Sequence, residues 1–386
     1  MHDGVSVVLV GIGGYGEVYL SALLDEPQGA RCRIAGAVDP RPDSCSRLTE
    51  LRSRGVPVYR TLQEFYTDSA ADLAVISSPI QLHAEQMCQA VAYGSHALVE
   101  KPAAATVPDV DRMIEARDMM QSTVGVGFQW SFAPPILQLK RDITSGRFGN
   151  ALTGSCLTLW PRTEVYYRRN DWAGKRRDPT GRWVLDSPAN NAMAHFLHNL
   201  LFLLGGPLDR SASPVSISPR LARANDIETF DTIGARVIVR DGVNLTFLAS
   251  HAIGKAEAVE PKFKFEFAKA VMDFPGGNAP VTVRCDDGTT LEYESPNATP
   301  QSQKLWNCVD AIAGISDIPC GLESARAHTQ CIEGIEESGA EVLEFNEEVI
   351  KHHETEEGSL RWVPGLAAML EQAYNDGNLP DLTSLA

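Results

Sequence analysis

The sequence is poor in positive charge: 34 lysines and arginines stand against 50 aspartates and glutamates, giving a formal net charge of −16 in 386 residues. A chain this acidic is not drawn over long range to nucleic acid or to an anionic membrane, so we expect neither as a partner. It also lacks a basic and apolar leader, and no window is apolar for long enough to cross a bilayer. These absences predict a cytoplasmic protein.

Cysteine is scarce and scattered. The eight cysteines form no CxxC pair and no zinc-finger spacing, so we expect reduced, mostly packed thiols and no metal site. A chain of 386 residues is too long for one ordinary core, which favours two domains.

The amino terminus carries a glycine loop. The run VSVVLV at residues 5–10 is typical of a buried parallel strand, and GIGGYG follows it with the G-x-G-x-x-G spacing of Gly11, Gly13 and Gly16. The first glycine permits a tight turn, the second lets a pyrophosphate approach the backbone, and the third brings the next helix close to its strand. The predicted cofactor contacts of the loop are Gly11, Ile12, Gly13, Gly14, Tyr15 and Gly16.

A second strand-like run, CRIAGAVD, ends at Asp39, which lies 23 residues after Gly16. An acid at this place accepts hydrogen bonds from an adenosine ribose. The alternative is that Asp39 only opens the turn DPRP. Arg41 is positioned in sequence to meet a 2′-phosphate instead, so NAD is favoured and NADP stays open.

Strand-like and helix-like segments alternate for more than a hundred residues, which predicts a doubly wound parallel sheet with its ligand at the carboxyl ends of the strands. The last strand, TVGVGFQW, sets the predicted domains at 1–128 and 129–386. His83 is expected to have no chemical role. The residues expected at the ligand edge are Ser77, Ser78, Pro79, Glu100 and Lys101.

Lys101 stands in the motif EKP, directly after an apolar strand. A lysine there points into the cofactor crevice, where it can hydrogen-bond a substrate oxygen and stabilise developing negative charge. The alternative is a surface lysine in a turn. Pro102 restricts Lys101 to extended conformations, and the bond between them is a candidate for the cis form.

A later stretch, DSPANNAMAHFLHNLLFLLG at residues 186–205, combines a dense apolar pattern with histidines and asparagines. In a helix, Asn191, His195, His198 and Phe202 would share one stripe, because their spacing is i, i+4, i+7 and i+11. A polar stripe on an apolar helix must face a ligand or other polar groups. A metal site on the two histidines lacks further ligands at helical spacing.

The glycine loop, the acid after the second strand, EKP and this helix together resemble the Gfo/Idh/MocA family of oxidoreductases, named for glucose-fructose oxidoreductase, inositol dehydrogenase and the rhizopine catabolism protein. The resemblance implies a Rossmann domain followed by an α/β domain with a large, open, mostly antiparallel sheet. It also implies a nicotinamide cofactor, a sugar or polyol substrate, and a homodimer or homotetramer.

The family helix has the form acid-x-x-x-His-x-x-Asp, whose positions fall on Asn191, His195 and His198 of this chain. We expect His195 to move the proton of the reacting hydroxyl, with Asn191 and His198 orienting the substrate. Because an amide at residue 191 cannot raise the pKa of the imidazole as a carboxylate would, we expect His195 to be neutral near pH 7. The alternative for His195 is a buried histidine satisfied by its neighbours.

The predicted second domain contains apolar and polar alternation with two Asp-Gly turns, as in antiparallel hairpins. Residues 161–183 concentrate arginine and aromatic residues, and we expect Arg168, Arg169 and Trp172 to bind an anionic, carbohydrate-derived substrate. The alternative is a solvated loop or a subunit contact.

These features predict an NAD(P)-dependent oxidoreductase that interconverts an alcohol and a carbonyl on a sugar, polyol or sugar acid. Lys101 and His195, from different domains, are expected to approach the nicotinamide from opposite sides. Two alternatives stay open: an NAD-dependent glycosidase of the same family, and a nucleotide-binding protein that has lost turnover.

Overall fold

The structure is a computed structural model that describes residues 4–385. The chain divides into two compact units: one comprises the chain up to Phe132 together with Pro300–Arg326, and the other comprises Ala133–Thr299 and the chain from Ala327 onward. The predicted domain limits 1–128 and 129–386 stay a prediction. The grouping of Pro300–Arg326 with the amino-terminal unit has no counterpart in the sequence analysis.

Strands and helices alternate along the first part of the chain. In order they are β1 Val5–Val10, α1 Gly16–Asp25, β2 Cys32–Val38, α2 Leu48–Ser53, β3 Val58–Tyr59, α3 Leu62–Asp68, β4 Leu73–Ile76, α4 His83–Ala92, β5 His96–Val99, α5 Val107–Met120 and β6 Val124–Val126. The middle part is rich in strands. It contains α6 Pro134–Thr144, β7 Ala151–Leu159, α7 Glu164–Arg168, α8 Ala194–Leu203, β8 Pro214–Arg223, β9 Thr232–Val239, β10 Asn244–Ser250, β11 Val259–Phe267, β12 Ala270–Phe274, β13 Val281–Cys285 and β14 Thr290–Tyr293. The last part contains α9 Gln303–Ile312, α10 Leu322–Glu337, β15 Val342–Glu344, β16 Lys351–Thr355, β17 Gly358–Trp362 and α11 Leu366–Asp376.

The amino-terminal unit contains a six-stranded sheet in the order β3-β2-β1-β4-β5-β6, and every neighbouring pair is parallel. The strand order reverses between β1 and β4, so a crevice opens at the carboxyl ends of these two strands. This confirms the doubly wound Rossmann sheet predicted from the alternation of apolar runs.

The other unit contains a nine-stranded sheet in the order β14-β13-β12-β11-β7-β10-β9-β8-β15. Two pairs are parallel, β7 with β10 and β8 with β15, and the other neighbours are antiparallel, which confirms the predicted mostly antiparallel sheet. Both Asp-Gly turns connect hairpins, with Gly242 at φ +78° before β10 and Gly288 at φ +87° before β14.

Each unit has its own apolar core. Helix α9 contributes Leu305, Trp306 and Val309 to the core of the parallel sheet, beside Leu9 and Leu98. Helix α11 covers the large sheet with side chains that pack on its strands. None of the eight cysteines, all within residues 4–385, forms a disulfide, and five of them are buried. In the described part of the chain, no helix has both the length and the apolar character needed to span a bilayer.

Candidate active site

The glycine loop has the geometry that its spacing predicts. Gly11 has φ +81°, and its N–H donates to the carbonyl of Val38 at 2.8 Å, so the chain turns sharply at the end of β1. A Cβ on Gly16 would lie 2.0 Å from the carbonyl oxygen of Gly11, so only glycine lets α1 begin this close to the strand.

The loop presents free donors to a ligand. Among residues 4–385 no described hydrogen bond uses the N–H groups of Gly13, Gly14 or Tyr15, which stand directly before α1. A row of backbone N–H groups at a helix amino terminus binds the negative charge of a phosphate. The loop therefore fits the pyrophosphate of a dinucleotide.

Asp39 lies beside this loop and is oriented by it. One carboxylate oxygen accepts the N–H of Ile12 at 3.1 Å, and the other accepts the N–H of Arg41 at 2.8 Å. Each carboxylate oxygen has a second lone pair, so both hydrogen bonds leave acceptor capacity for ribose hydroxyls.

A pocket of about 440 Å³ has both acids and arginines in its lining: Asp39, Asp43, Arg41, Arg52 and Arg60. Within the described residues, none of the three guanidinium groups forms a salt bridge or a side-chain hydrogen bond, although most other arginines of this unit are paired with acids. Three uncompensated cations beside the predicted ribose site suit a phosphate. The pocket thus keeps NADP open as a cofactor.

The ends of β4 and β5 complete the same sheet edge. The hydroxyl of Ser77 donates to the carbonyl of Gly11 at 2.7 Å, and that of Ser78 donates to Gln86. His83 is buried, with its ring nitrogens 2.8 Å from the carbonyl oxygens of Ser78 and Pro102. Its place between these two loops is a structural one, and its contacts in the protein are with backbone.

Glu100 is a buried anchor at this edge. Its carboxylate forms an ion pair with Lys304 and accepts hydrogen bonds from the hydroxyl of Tyr19 and, at 3.1 Å, from the N–H of Lys101. Burial alone would raise the pKa of Glu100, but the charge of Lys304 lowers that pKa below its ordinary value. A Cβ on Gly127 would lie 2.8 Å from the same carboxylate, so the neighbouring strand end must be glycine.

Lys304 is a residue that the sequence analysis missed. Its ammonium group is completely buried and also lies 3.0 Å from the hydroxyl of Tyr15 in the glycine loop. Burial would lower the pKa of Lys304, yet Glu100 raises it above the ordinary value. The sequence does contain a hint of this role, because Lys304 stands next to Leu305 on the apolar face of α9. A lysine on an apolar helix face is expected to be buried only when it is paired with an acid.

Lys101 itself is partly buried, and the peptide bond to Pro102 is cis. Its backbone is fixed through Glu100, so the sheet edge positions the start of this side chain. The carboxyl ends of four neighbouring parallel strands therefore carry the glycine loop, Asp39, Ser77 and Lys101. This is the sheet edge at which the sequence predicts them.

In the second unit, the segment before α8 differs from the predicted continuous helix. Helix α8 begins at Ala194, and Asn191 lies in the turns that precede it. From Val184 to Leu203 every residue is buried except Asn191, Ala192 and His195, which are partly exposed. The two predicted active-site residues are thus, with Ala192, the partly exposed residues of an otherwise buried segment.

His198 lies on the buried side of α8 and stacks on Phe202 with ring centroids 5.6 Å apart. Burial, with His328 and Lys140 nearby, holds the pKa of His198 well below its ordinary range, so the ring is neutral. Its predicted part in substrate binding stays a prediction. Among the described residues no group of three or more potential metal ligands exists.

The arginine-rich segment is largely paired within its own unit. Arg168 is highly exposed and forms a salt bridge with Glu164 at 2.9 Å. The guanidinium of Arg169 lies over the rings of Tyr166, at 3.8 Å, and Trp172, at 5.1 Å, and contacts the carboxylate of Asp186 at 3.3 Å. Both predicted anion-binding arginines thus already have a carboxylate partner.

Arg162 has a different environment. Its guanidinium carbon lies 5.8 Å from the ring centroid of Trp160 and 5.1 Å from that of Tyr166. Its Nε is buried without a described partner, and it forms no described salt bridge in residues 4–385. An uncompensated arginine on aromatic rings suits the anionic group of a sugar-derived ligand better than its paired neighbours do.

The comparisons with known proteins bear on this geometry. Residues 5–128 match the family model Gfo/Idh/MocA, described as an oxidoreductase family with an NAD-binding Rossmann fold. Residues 5–128 are therefore a Rossmann domain of the Gfo/Idh/MocA type. The matched domain is the unit that carries the glycine loop, Asp39 and Lys101, and the cofactor of this family fold is NAD.

Individual relatives agree with this assignment. The rhizopine catabolism protein MocA of Rhizobium meliloti is 28% identical over 148 residues, which cover 38% of this chain and 45% of that protein. Inositol 2-dehydrogenase 2 of Saccharopolyspora erythraea is 29% identical over 149 residues, covering 38% of this chain and 43% of that enzyme. The match spans less than half of the length of each of these curated relatives.

The WlbA dehydrogenase of Bordetella pertussis, solved in complex with NADH and UDP-GlcNAcA, has a similar fold, with a TM-score of 0.70. Its sequence is 21% identical, and the alignment covers 87% of this chain and 96% of that chain. This likeness concerns the fold, and it extends over both sheets of the chain.

Proposed function

We propose that the chain is an NAD(P)-dependent oxidoreductase that transfers a hydride between nicotinamide and an alcohol or carbonyl of a sugar, polyol or sugar acid. The main support for this proposal is the arrangement of groups at the carboxyl edge of the Rossmann sheet. There, free loop N–H groups, the oriented carboxylate of Asp39 and the anchored Lys101 lie at the ends of adjacent strands.

In the proposed mechanism, the loop residues Gly13, Gly14 and Tyr15 hold the pyrophosphate, and Asp39 accepts hydrogen bonds from the adenosine ribose. Bound NAD supplies the hydride acceptor. Lys101 donates a hydrogen bond to the reacting oxygen and stabilises its negative charge. The imidazole of His195 takes the hydroxyl proton during oxidation and returns it during reduction, and Asn191 orients the substrate.

The substrate class rests on chemistry and on relatives. Several aromatic rings lie next to arginines in residues 160–172, which suits the apolar face of a sugar and an attached acid. The names of the relatives, an inositol 2-dehydrogenase and a dehydrogenase that binds UDP-GlcNAcA, point to the same class. We also propose that the chain forms a homodimer or homotetramer. Light scattering, which measures the molar mass in solution, tests this.

The first experiment is a thermal shift with NAD and NADP, followed by NADH absorbance with a panel of inositols, aldoses, uronic acids and UDP-GlcNAcA. A ligand that binds the native state raises its stability by mass action. We expect a shift with NAD and formation of NADH with at least one compound. No shift with either nucleotide contradicts the proposal.

Two variants test the assigned roles. Lys101→Met removes the donor to the reacting oxygen, and we expect a loss in kcat of about 10²- to 10³-fold. His195→Asn removes the proton carrier, with an expected loss of about 10²- to 10⁴-fold. Both should keep NAD binding. Sugar release without net NADH would instead support a glycosidase, and tight NAD binding without any turnover would support a protein that has lost catalysis.

A further inference from the structure

Asp186 is a buried acid that the sequence analysis did not single out. It is 2% exposed, and its carboxylate accepts hydrogen bonds from the N–H of Gly174 at 2.7 Å and from the side-chain amide of Asn191 at 2.6 Å. The guanidinium of Arg169 contacts both carboxylate oxygens at 3.3 and 3.4 Å. One carboxylate thus holds both the segment before α8 and the arginine-aromatic segment.

The backbone around Asp186 is fixed on both sides. Its N–H donates to the carbonyl of Lys175 at 3.0 Å, and its carbonyl accepts the hydroxyl of Thr229 at 2.6 Å. The preceding residue, Leu185, is a buried leucine at φ +53°, a left-handed conformation that is unfavourable for a branched side chain. The surrounding structure therefore keeps Asp186 directed inward despite a local backbone cost.

This contact fixes the orientation of the Asn191 amide. An ionised carboxylate only accepts hydrogen bonds, so the amide atom that faces Asp186 must be the NH₂ group. The carbonyl oxygen of Asn191 must then point away from Asp186. Asn191 and His195 are the two partly exposed polar residues of this buried segment, and they are four residues apart in the sequence.

We propose that Asp186 is a positioning residue of the active site: it fixes Asn191 with its carbonyl oxygen presented as an acceptor and supplies the negative charge behind it. In this way Asp186 and Asn191 together take the part of the acid in the acid-x-x-x-His pattern. This inference rests on the proposed function, because it concerns the same reacting centre.

The contact between Asp186 and Asn191 predicts that placing the family acid at residue 191 alone lowers activity. Asn191→Asp would place two carboxylates in direct contact, and one of them would be forced to take up a proton. The double variant Asp186→Asn with Asn191→Asp reverses donor and acceptor but keeps the hydrogen bond. It also moves the negative charge from residue 186 to residue 191, which is five residues closer to His195 in the sequence.

The test compares the wild type, Asp186→Asn, Asn191→Asp and the double variant in two measurements. The first is an NMR titration of His195 in isotope-labelled full-length protein with NAD bound, with His195→Asn used to assign the signal. We expect Asp186→Asn to lower the pKa of His195 and the double variant to raise it by about one pH unit. The second is kcat and KM for UDP-GlcNAcA and myo-inositol as probes.

For kinetics we expect each single variant to lose at least tenfold in kcat and the double variant to recover most of that loss. Asp231→Asn is the matched control, because Asp231 is also buried and accepts the side-chain amide of Asn225 at 2.7 Å. It reports the general cost of losing a buried Asp–Asn pair and should leave the titration of His195 unchanged.

A His195 titration that is the same in all variants, or the same shift in Asp231→Asn, would overturn the positioning role. The titration needs no turnover, so its result separates the two proposals. If no compound of the full substrate panel forms NADH but the titration shifts as expected, the proposed function fails while the pairing of Asp186 with Asn191 stands.

Discussion

The buried ammonium of Lys304 pairs with the carboxylate of Glu100, although 204 residues separate them in the sequence. The same carboxylate also accepts a hydrogen bond from the backbone N–H of Lys101. Helix α9, which follows the strands of the large sheet in the sequence, thus contributes an ion pair that holds the backbone next to the predicted catalytic lysine.

Removing Lys304 should therefore be costly. Lys304→Met leaves the Glu100 carboxylate buried without its counter-charge, and we expect a loss of about 3–5 kcal/mol in the free energy of unfolding. Chemical denaturation measures it. The double variant with Glu100→Gln removes both charges and should regain most of the stability. A double variant as unstable as the single one would show that packing, not the unpaired charge, sets the cost.

Buried histidines should make the protein sensitive to mild acid. Burial lowers the pKa of His251 from 6.5 to about 3, and its Nδ1–H donates to the carbonyl of Trp160 at 2.7 Å. The unfolded chain then binds a proton that the folded chain rejects, so stability falls as the pH drops from about 6.5 towards 3. The slope from this group is about 1.4 kcal/mol per pH unit.

The measurement is the free energy of unfolding between these pH values for the wild type and His251→Gln. We expect a shallower pH dependence in the variant, because one titrating group has been removed. His353→Gln is the control, since His353 is exposed on β16. An equal change in both variants would contradict the assignment to His251.

Cofactor choice should depend on the pocket beside Asp39. Asp39→Asn removes the charge that repels a 2′-phosphate, and Arg41, Arg52 and Arg60 remain to bind one. We expect about tenfold weaker NAD binding and stronger NADP binding, measured by fluorescence titration. Asp43→Asn removes a charge from the same pocket without touching the ribose acceptor, so it should leave NAD affinity unchanged. NADP binding that stays the same after all three arginines become glutamine would refute the phosphate role.

Selectivity for an acidic substrate should depend on Arg162 more than on Arg168. Arg162→Met removes an uncompensated cation held on Trp160 and Tyr166, and we expect kcat/KM for UDP-GlcNAcA to fall about 10- to 100-fold while that for myo-inositol changes little. Arg168→Ala is the control, because its charge is exposed and already paired with Glu164. Equal losses on both substrates would argue for a structural role of Arg162.

Much of the fold was predictable because local rules decide it. The apolar run at residues 5–10, followed by a glycine loop and a helix, is typical of a buried parallel strand, and Gly16 fits because no side chain has room beside Gly11. The Asp-Gly turns at Gly242 and Gly288 likewise match hairpins through their positive φ. Each of these signals depends on neighbours close in sequence.

The parts that escaped prediction depend on contacts distant in sequence or on competing local structure. Helix α8 begins only at Ala194, and the side chain of Asn191, which precedes it, donates a hydrogen bond to Asp186. Arg169 was expected to be available to a ligand, and the structure pairs it with Asp186. The pattern of residues along the sequence does not show which acid will pair with a given arginine or side-chain amide.

The sequence by itself determined the parallel sheet and the glycine loop, because spacing and residue type are local properties, and from the same properties it predicted the site residues. Tertiary structure decided the environment of those residues: Lys304 beside Glu100, and Asp186 behind Asn191. The physical reason is that charge and hydrogen-bond orientation inside a protein are set by whichever groups are packed within a few ångströms, and chain folding brings these groups together from far apart in the sequence.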